Sequence, residues 1–493
     1  MRTNMKPAKL KFIPAIALMA FAVLVALVAP MGLAAQAGPA ASQAEPAFVR
    51  DNLPTFASLT LSNGIPVYIK YNKANRVRNI SLVLRGSSLA SPPEQAGWSK
   101  LAFATMARAS ANYSYKAVTE LLDSTSSSIS AASLFEYSTL SLNVLDKYFD
   151  RLLPIWSDMI VSPGFDPLDF EQAKSEIELA IQSKDQNPWS VTSKLANEKY
   201  FEGHPYAVSA DGTEATIGPA TVQSMKKWHE KNVSADRIFV VAVGDFDASA
   251  LGAALENSIG KIPDRGLGAI PLPPAFGRGA PGRLYTVGHN QSKGVAYLRG
   301  DFAAPAPGAA DFMAANLAMK LFSDLLFTVV RDQYGAVYSP GAGIRTFSAN
   351  YGSISIYKTS ATDKIKTYID EAAAIFASGR CVSVDPGRPG EEAKYMKIAD
   401  ALETYKLMFA NEYFEAVRTN AAIASLMINS AINTGDPSDW VRDVVRIAAI
   451  KPVDVEKAFS DYILDGSFVW VAVGDPALID KLPKEDFVSF TIK

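Results

Sequence analysis

The sequence predicts an α+β protein made of two homologous α/β domains related by internal duplication. Predicted strands and helices alternate along most of the 493 residues. Two similar apolar segments, VVAVGD at 240–245 and VWVAVGD at 469–475, end 230 residues apart. Between them, residues 266–283 are rich in Pro and Gly, as interdomain linkers are. A repeat of this length indicates two similar domains and not a solenoid.

The composition is that of a globular protein. Hydrophobic residues make up 48% of the chain and charged residues 20%. The formal net charge is −2 and no basic stripe is present, so nothing indicates a nucleic-acid partner. The single cysteine, Cys381, excludes an intramolecular disulfide. It lies in a Gly/Pro-rich stretch that predicts a connector and gives little support for a catalytic thiol.

Residues 1–37 are predicted to be a signal peptide. Basic side chains up to Lys11 precede an apolar run from Phe12 to Ala29, and Ala35-Gln36-Ala37 has the small-residue spacing of a cleavage site. Residues 42–44 offer a second cleavage site. The alternative is an uncleaved anchor, because the run approaches membrane-spanning length. We expect cleavage, a periplasmic location and no membrane contact afterwards.

The first domain is predicted at 48–263. Its elements follow from alternating or helical apolar spacing and from turn residues such as Asn63-Gly64. The predicted elements are a hairpin at 55–72, a strand at 79–85, a helix from Gly97, a helix and two strands within 115–145, a helix from about Asp169 to Lys184, a helix near 220–232 and a strand at 238–247.

The second domain is predicted at 284–493, after a Pro/Gly-rich linker at 264–283. It begins again with a strand at VAYLRGDF, continues with a long helix to Gln333 and strands to Tyr357, and closes on the strand at 468–475. Both domains therefore end on an apolar strand followed by Gly-Asp.

Several segments occur in the order and spacing of one peptidase family. They are LSNGIPVYI (61–69), GWSKLAFAT (97–105), SPGFDPLDFEQAK (162–174), HPYAVSADGTEATIG (204–218) and RDQYGAVYSPGAG (331–343). Together they resemble the pitrilysin or insulinase-type zinc peptidases, the inverzincins, over about residues 50–485. The resemblance implies two homologous domains that face one another across a cavity, as half of a clamshell.

The zinc motif of that family is absent. Its H-x-x-E-H frame falls on Lys100, Phe103 and Ala104, its later glutamate ligand on Ala180, and the supporting carboxylate on Ala173. A catalytic zinc needs three nitrogen, oxygen or sulfur ligands and an open position for water. We therefore expect no metal site and no catalytic residue in this chain.

Other side chains do not restore a zinc site. Glu176 and Glu178 lie on the predicted ligand helix, but using them still leaves no histidine pair. The histidines of the chain are His204, His229 and His289, and no two stand at helical spacing. We expect a structural loop residue at His204, a helix-surface residue at His229 and local hydrogen bonding at His289.

Arg331 and Tyr338 match a sequence motif of that family that this chain retains. In the resembling peptidases an Arg and a Tyr seven residues later, in the frame R-x-x-x-G-x-x-Y, hydrogen bond the substrate carbonyl near the zinc. A carbonyl that becomes an oxyanion needs fixed donors, and guanidinium and phenol groups stay protonated at neutral pH. The alternative is a purely structural role, in which Arg331 complements a helix dipole and Tyr338 is an ordinary aromatic residue of a strand.

Three functions remain open at this point. The first is the zinc-less subunit of a heterodimeric zinc peptidase, in which a homologous partner binds zinc and this chain orients the peptide through Arg331 and Tyr338. The second is a peptide-binding or scaffolding envelope protein with a degenerate peptidase fold. The third is an enzyme with an unrecognised site, although no Ser/His/Asp order or phosphate-binding loop favours it.

Overall fold

Two large β-sheets form the centres of the two halves of the chain. The computed structural model describes residues 49, 52–271, 282–384, 394–488 and 490. The predicted signal peptide, its second cleavage site and residues 272–281 of the predicted linker lie outside them. The strands are β1 (Phe56–Thr60), β2 (Pro66–Tyr71), β3 (Val77–Arg85), β4 (Ser128–Ser133), β5 (Tyr137–Leu145), β6 (Ile238–Gly244), β7 (Arg283–Gly288), β8 (Ala296–Ala303), β9 (Val337–Ile344), β10 (Tyr351–Thr359), β11 (Arg380–Val382), β12 (Tyr395–Lys397) and β13 (Phe468–Gly474).

The two large sheets share a five-strand topology, and the first has one further edge strand, β1. The first has the order β1-β2-β6-β3-β5-β4 and the second the order β7-β13-β8-β10-β9. In each, the closing strand pairs in parallel with an early strand, β6 with β2 and β13 with β7, and every other pairing is antiparallel. All seven residues of β6 and of β13 are buried, which explains their unbroken apolar sequence. The predicted duplication is confirmed.

Helices surround both sheets. The first half has a helix after β3 and the second half has a helix after β8, and each half has a pair of long helices later in the chain. The helices are α1 (Trp98–Met106), α2 (Tyr115–Thr125), α3 (Phe149–Val161), α4 (Pro167–Gln186), α5 (Pro188–Tyr200), α6 (Glu214–Ile217), α7 (Val222–Asn232), α8 (Ala248–Glu256), α9 (Phe312–Leu326), α10 (Ile365–Ala377), α11 (Ile398–Ala416), α12 (Asn420–Asn433), α13 (Asp443–Ala449), α14 (Pro452–Phe459) and α15 (Pro476–Ile479).

Each half has its own apolar core between one face of its sheet and its helices. In the first half Trp156 and Phe170 are fully buried in this core. In the second half Phe376 stacks on Phe459 with ring centroids 4.0 Å apart, next to Phe322. The segment from α9 to Gln333 is long and apolar enough to cross a membrane by composition, but most of it is buried in this core.

One helix from each half crosses to the sheet of the other half. Helix α5 packs on β13 and β8, where Ala196 is buried against Val471 and Val473. Helix α12 packs on β6 and β3, and the side-chain amide of Asn420 donates to the carbonyl oxygen of Val77 at its first turn. This reciprocal exchange joins the two halves, and it places α5 and α12 at equivalent positions.

Most predicted elements are present, with differences at their ends. The hairpin of β1 and β2 has its turn at Asn63-Gly64, and β3, α1, β4, β5, α4, α7 and β6 lie where the sequence predicts them. The helix predicted to reach Gln333 is α-helical only to Leu326 and continues as a π-helical turn. Gly335, with φ +58°, then ends the segment before β9.

Candidate functional site

Helix α1 begins against the loop at 211–212. Gly97 has φ +81°, and a Cβ there would lie 2.7 Å from the carbonyl oxygen of Asp211. Gly212 also has φ +81°, and its Cβ would meet the carbonyl oxygen of Ala96 at 2.7 Å. Only glycine allows two backbones to approach this closely in these conformations. The first turn of α1, which carries Lys100, is therefore held beside this loop.

Lys100 and Lys184 bind one carboxylate from opposite sides. Lys100 Nζ lies 2.5 Å from Asp211 Oδ1, and Lys184 Nζ lies 2.5 Å from Asp211 Oδ2. Burial raises the pKa of Asp211, but the hydrogen bonds and charges of the two lysines outweigh it and hold the pKa below its usual value. The first position of the zinc frame thus carries an ammonium group that is already paired.

Phe103 and Ala104 have become part of the core. Phe103 is only 1% exposed and meets the ring of Trp228 edge-on, with centroids 6.4 Å apart. Ala104 packs at the edge of the same apolar cluster. Neither side chain has a donor atom for a metal or a group that could activate water.

Helix α4 carries no ligand at the two positions that correspond to carboxylates. Ala173 is buried against the core and Ala180 is exposed. Glu176, on the same helix, binds Arg108 with an oxygen–nitrogen distance of 2.7 Å. Among the residues that the structure describes, no three His, Cys, Asp or Glu side chains are grouped to hold a metal ion. The residues at the zinc frame do not fit zinc.

The three histidines have separate structural contacts. His204 caps a short turn, where its Nδ1 accepts from the backbone N–H of Tyr206, and His289 Nδ1 accepts from the N–H of Gln291. The prediction of a helix-surface residue at His229 is wrong. Its ring is half-buried and its Nε2 lies 2.8 Å from the carbonyl oxygen of Ile160, and burial lowers its pKa.

Cys381 is not in an exposed connector. It lies in β11, where it is completely buried, and burial raises the pKa of its thiol to about 12. A thiol that stays protonated and inaccessible is not a nucleophile. The Gly/Pro-rich residues after it misled the prediction of its local structure.

Arg331 and Tyr338 lie side by side on the surface of the second half. The Arg331 guanidinium carbon is 5.9 Å from the centroid of the Tyr338 ring and 4.4 Å from that of Phe327. Tyr338 is 66% exposed. Within the described part of the chain, no hydrogen bond or ion pair engages the guanidinium or the phenol hydroxyl. The π-helical turn and the break at Gly335 bring these two groups together although they are seven residues apart.

A cavity of about 430 Å³ lies where the two halves meet, and we name it the first cavity. The end of α4, helix α5, the loop at 206–212 and the turn at 133–135 line it, together with Arg299 and Phe347 of the second half. Trp189 of its wall contacts Tyr357, with centroids 5.7 Å apart, and Tyr357 lies 6.3 Å from Tyr338. A row of aromatic rings therefore connects the first cavity with Arg331 and Tyr338.

Comparison with protein families identifies this arrangement. The model of the family described as Insulinase (Peptidase family M16) matches residues 67–214, which include the whole altered zinc frame. The model described as Peptidase M16 inactive domain matches residues 219–378, which include Arg331 and Tyr338. The chain belongs to peptidase family M16. Its altered zinc frame makes it an inactive member of the family.

Two curated M16 relatives match part of the chain. The "Non-peptidase homolog YmxG" of Helicobacter pylori is 22% identical over 199 residues, which are 40% of this chain and 46% of that protein. The "Mitochondrial-processing peptidase subunit alpha" of Solanum tuberosum is 20% identical over 185 residues, 38% of this chain and 36% of that protein. The matched region thus spans less than half the length of either relative.

Solved structures show the same fold over a longer range. The peptidase M16 inactive domain from Pseudomonas fluorescens has a TM-score of 0.72 and 16% identity, over 85% of this chain and 98% of the other. The periplasmic protease PqqL from Escherichia coli has a TM-score of 0.69 and 16% identity. That match covers 91% of this chain but 48% of PqqL. This M16 chain therefore corresponds in fold to about half of the longer protease.

Sequence reasoning missed Asp211 and Lys184. Asp211 lies in HPYAVSADG, a segment that the family resemblance includes, but its partners come from two distant helices. Lys184 stands four residues after Ala180 and therefore on the same side of α4. This i, i+4 spacing was the available signal that a cation had been placed beside the altered ligand position.

Proposed function

We propose that this chain is the zinc-less subunit of a heterodimeric zinc peptidase. A homologous M16 partner supplies the zinc and the general-base glutamate, and this chain closes the chamber and orients the peptide carbonyl. The observation that carries the proposal is the contrast between two sites. Lys100, Phe103 and Ala104 are committed to structural contacts, whereas Arg331 and Tyr338 are exposed, adjacent donors.

The donor pair suits a carbonyl that gains negative charge. A guanidinium and a phenol hydroxyl are both donors at neutral pH, and the π-helical turn and Gly335 place the two groups side by side. Donors fixed in advance stabilise a developing oxyanion without reorganisation during the reaction. Arg331 and Tyr338 bind substrate in this scheme, and the bond-breaking chemistry belongs to the partner.

The rings between the two regions provide a path for the peptide. Trp189, Tyr357 and Tyr338 form a partly exposed row that leads from the first cavity to the donor pair. Aromatic side chains bind apolar parts of a peptide at low entropic cost because they have few rotatable bonds. A bound peptide would therefore extend from the first cavity to Arg331.

The relatives support a partner and an exported location. The potato relative is named as a subunit, and the longer E. coli protease contains in one chain about twice the length that this chain matches. PqqL is named as periplasmic. We place the mature chain in the periplasm, exported through residues 1–37. N-terminal sequencing of the exported protein tests this, and the mature chain is expected to begin directly after Ala37, at Gly38.

The test is the turnover of the purified heterodimer with altered donors. Tyr338→Phe and Arg331→Gln are expected to lower kcat by roughly a hundredfold, the usual cost of losing one oxyanion donor. KM and assembly, measured by size-exclusion chromatography, remain unchanged. The matched control is Tyr334→Phe, which removes another exposed hydroxyl that binds Glu371, and it keeps full turnover. Loss of assembly in the Arg331 or Tyr338 variants contradicts the role in binding the carbonyl.

A second candidate is a peptide-binding or scaffolding envelope protein. The first cavity and the aromatic row favour it, because a peptide needs no zinc partner to occupy them. This candidate replaces the first if the zinc-bearing homologue reaches full peptidase activity without this chain.

A further inference from the structure

The second half contains a cavity of its own, which we name the second cavity. It has a volume of about 390 Å³ and lies between the start of α9, helices α11 and α12, and the segment at 439–446. Its size is within the range of small-molecule and side-chain binding sites. It is separate from the first cavity, and the two share no lining residue.

The two cavities occupy equivalent places in the duplicated fold. The first lies along α5, which follows α4 and crosses to the second sheet, and it reaches the turn between β4 and β5. The second lies along α12, which follows α11 and crosses to the first sheet, and it reaches Thr346 between β9 and β10. The duplication therefore provides two cavities of similar volume, of which only the first is lined by Asp211 and Lys184.

Helix α12 turns a polar face towards the second cavity. Leu426, Asn429, Ser430 and Asn433 line it at the spacing i, i+3, i+4, i+7, which is one side of a helix. A helix side that faces the interior normally carries apolar residues. Here amide and hydroxyl groups predominate, and such groups near the interior need hydrogen-bond partners.

Two polar atoms beside the second cavity have no partner in the described structure. They are Asn433 Oδ1, an acceptor, and Trp440 Nε1, a donor, and both are shielded from solvent. Trp440 is only 5% exposed. Asn429 uses its oxygen to accept from Tyr137, 2.9 Å away, so its NH₂ group is available. An unmatched buried polar group costs about 1–3 kcal/mol, and a ligand with both a donor and an acceptor removes that cost.

The rest of the wall is apolar or electrically compensated. Phe312, Met313 and Phe409 contribute apolar surface. Arg446 binds Asp439 at 2.6 Å and Asp443 at 2.8 Å, and Arg442 brings a second guanidinium to within 4.0 Å of Asp439, so two cations face the two carboxylates. A ligand for this site is therefore uncharged, with an apolar body and one edge that both donates and accepts hydrogen bonds. A peptide group beside a large apolar side chain has this chemistry.

We propose that the second cavity binds a neutral peptide segment through one large apolar side chain and its adjoining peptide groups. The apolar side chain lies against Phe312, Met313 and Phe409, and the peptide groups bind α12 and Trp440. The site works in the chain by itself and does not depend on a zinc-bearing partner or on Arg331 and Tyr338.

The test measures binding of N-acetyl-Gly-Phe-Gly-amide to the full chain without partner, by saturation-transfer NMR and titration. Saturable binding is expected. Ser430→Phe fills the second cavity and is expected to weaken binding at least tenfold, and Asn433→Leu removes an acceptor and is expected to weaken it several-fold. N-acetyl-Gly-Glu-Gly-amide is expected to bind at least tenfold more weakly, because its carboxylate has no free cation in the wall.

The matched control on α12 is Ser425→Phe, which adds the same ring to the exposed side of the helix and is expected to bind the phenylalanine peptide as the parent does. Ser193→Phe fills the first cavity from the equivalent helix α5 and separates binding there from binding in the second cavity. Saturable binding is expected to persist in Ser193→Phe and to be lost when Ser430→Phe is added to it. Thermal unfolding verifies that each variant is folded. Absence of saturable binding by the parent overturns the proposal. So does binding by Ser430→Phe and Asn433→Leu that equals that of the parent, and so does loss of binding in Ser193→Phe alone.

Discussion

The two halves surround their cavities with equivalent helices but reverse the charge pattern there. Beside the first cavity a carboxylate, Asp211, stands between the ammonium groups of Lys100 and Lys184. Beside the second a guanidinium, Arg446, stands between the carboxylates of Asp439 and Asp443. The first cluster ties a loop to two helices that are distant in sequence, whereas the second lies within residues 439–446 and holds a short turn against the start of α13.

The reversal has opposite consequences for protonation. Burial raises the pKa of Asp443 to about 6, with a further contribution from Asp439, and the hydrogen bond from Arg446 opposes this only in part. At Asp211 two lysines outweigh burial, and the pKa is lowered. Asp443 has one guanidinium partner and a second carboxylate beside it, whereas Asp211 has two ammonium partners and no carboxylate among the groups that shift its pKa. The clusters should therefore respond to pH in opposite directions.

The larger change of unfolding free energy with pH is expected to come from Asp443. Its carboxyl group binds a proton more tightly in the folded chain than in the unfolded chain, where its pKa is 3.8. Its contribution to stability is complete below pH 4 and is lost as the pH rises through about 6. Asp443→Asn removes this dependence. Between pH 4 and pH 8 the parent should lose about 2 kcal/mol of unfolding free energy relative to the variant.

Urea unfolding at several pH values measures that difference. Asp461→Asn is the matched control, because Asp461 is about as exposed as Asp443 but pairs with a single, largely exposed Lys457. The control should keep the pH dependence of the parent. An Asp443→Asn variant that loses stability as steeply as the parent would show that Arg446 keeps Asp443 fully ionised.

The smaller effect, of opposite sign, is expected at Asp211. Its lowered pKa contributes stability above the usual pKa of aspartate, and this is lost as the pH falls towards the lowered value. Asp211→Asn should cost about 1 kcal/mol at pH 7, since the three side chains are one-third to one-half exposed and solvent weakens their attraction. The cost should shrink below pH 4 and in high salt.

The same unfolding measurement decides this prediction. Asp185→Asn provides the comparison, because Asp185 pairs with Lys194 in the same region and is more exposed. A cost at Asp211 that does not change with pH or salt would mean that the loop is held by backbone packing at Gly97 and Gly212 and not by charge.

The strands, the helices and the repeat of the two halves could be predicted from the sequence because their signals are local. The Asn63-Gly64 turn, the apolar runs of β6 and β13 and the repeat they form all predict structure from neighbouring residues. The exchange of α5 and α12 between halves was not predictable in this way. An amphipathic helix shows that it packs against something, but its spacing does not say which sheet.

The candidate sites show the same difference between features that local sequence predicts and features that need the tertiary structure. Loss of the zinc frame could be predicted because Phe103 and Ala104 lack donor atoms in any fold. The pairing of Lys100 with Asp211, 111 residues away, required the tertiary structure. So did the second cavity, whose polar face combines α12 with Trp440. The domain boundaries at 48–263 and 284–493, and the roles of Arg331 and Tyr338, remain predictions.

The most direct test of the central claim is a joint determination of bound zinc and peptidase turnover. It compares the isolated chain, a zinc-motif M16 homologue from the same organism, and an equimolar mixture of the two. The account predicts no zinc and no turnover in the isolated chain, and turnover in the mixture well above that of the homologue alone. Stoichiometric zinc and chelator-sensitive turnover in the isolated chain would contradict it.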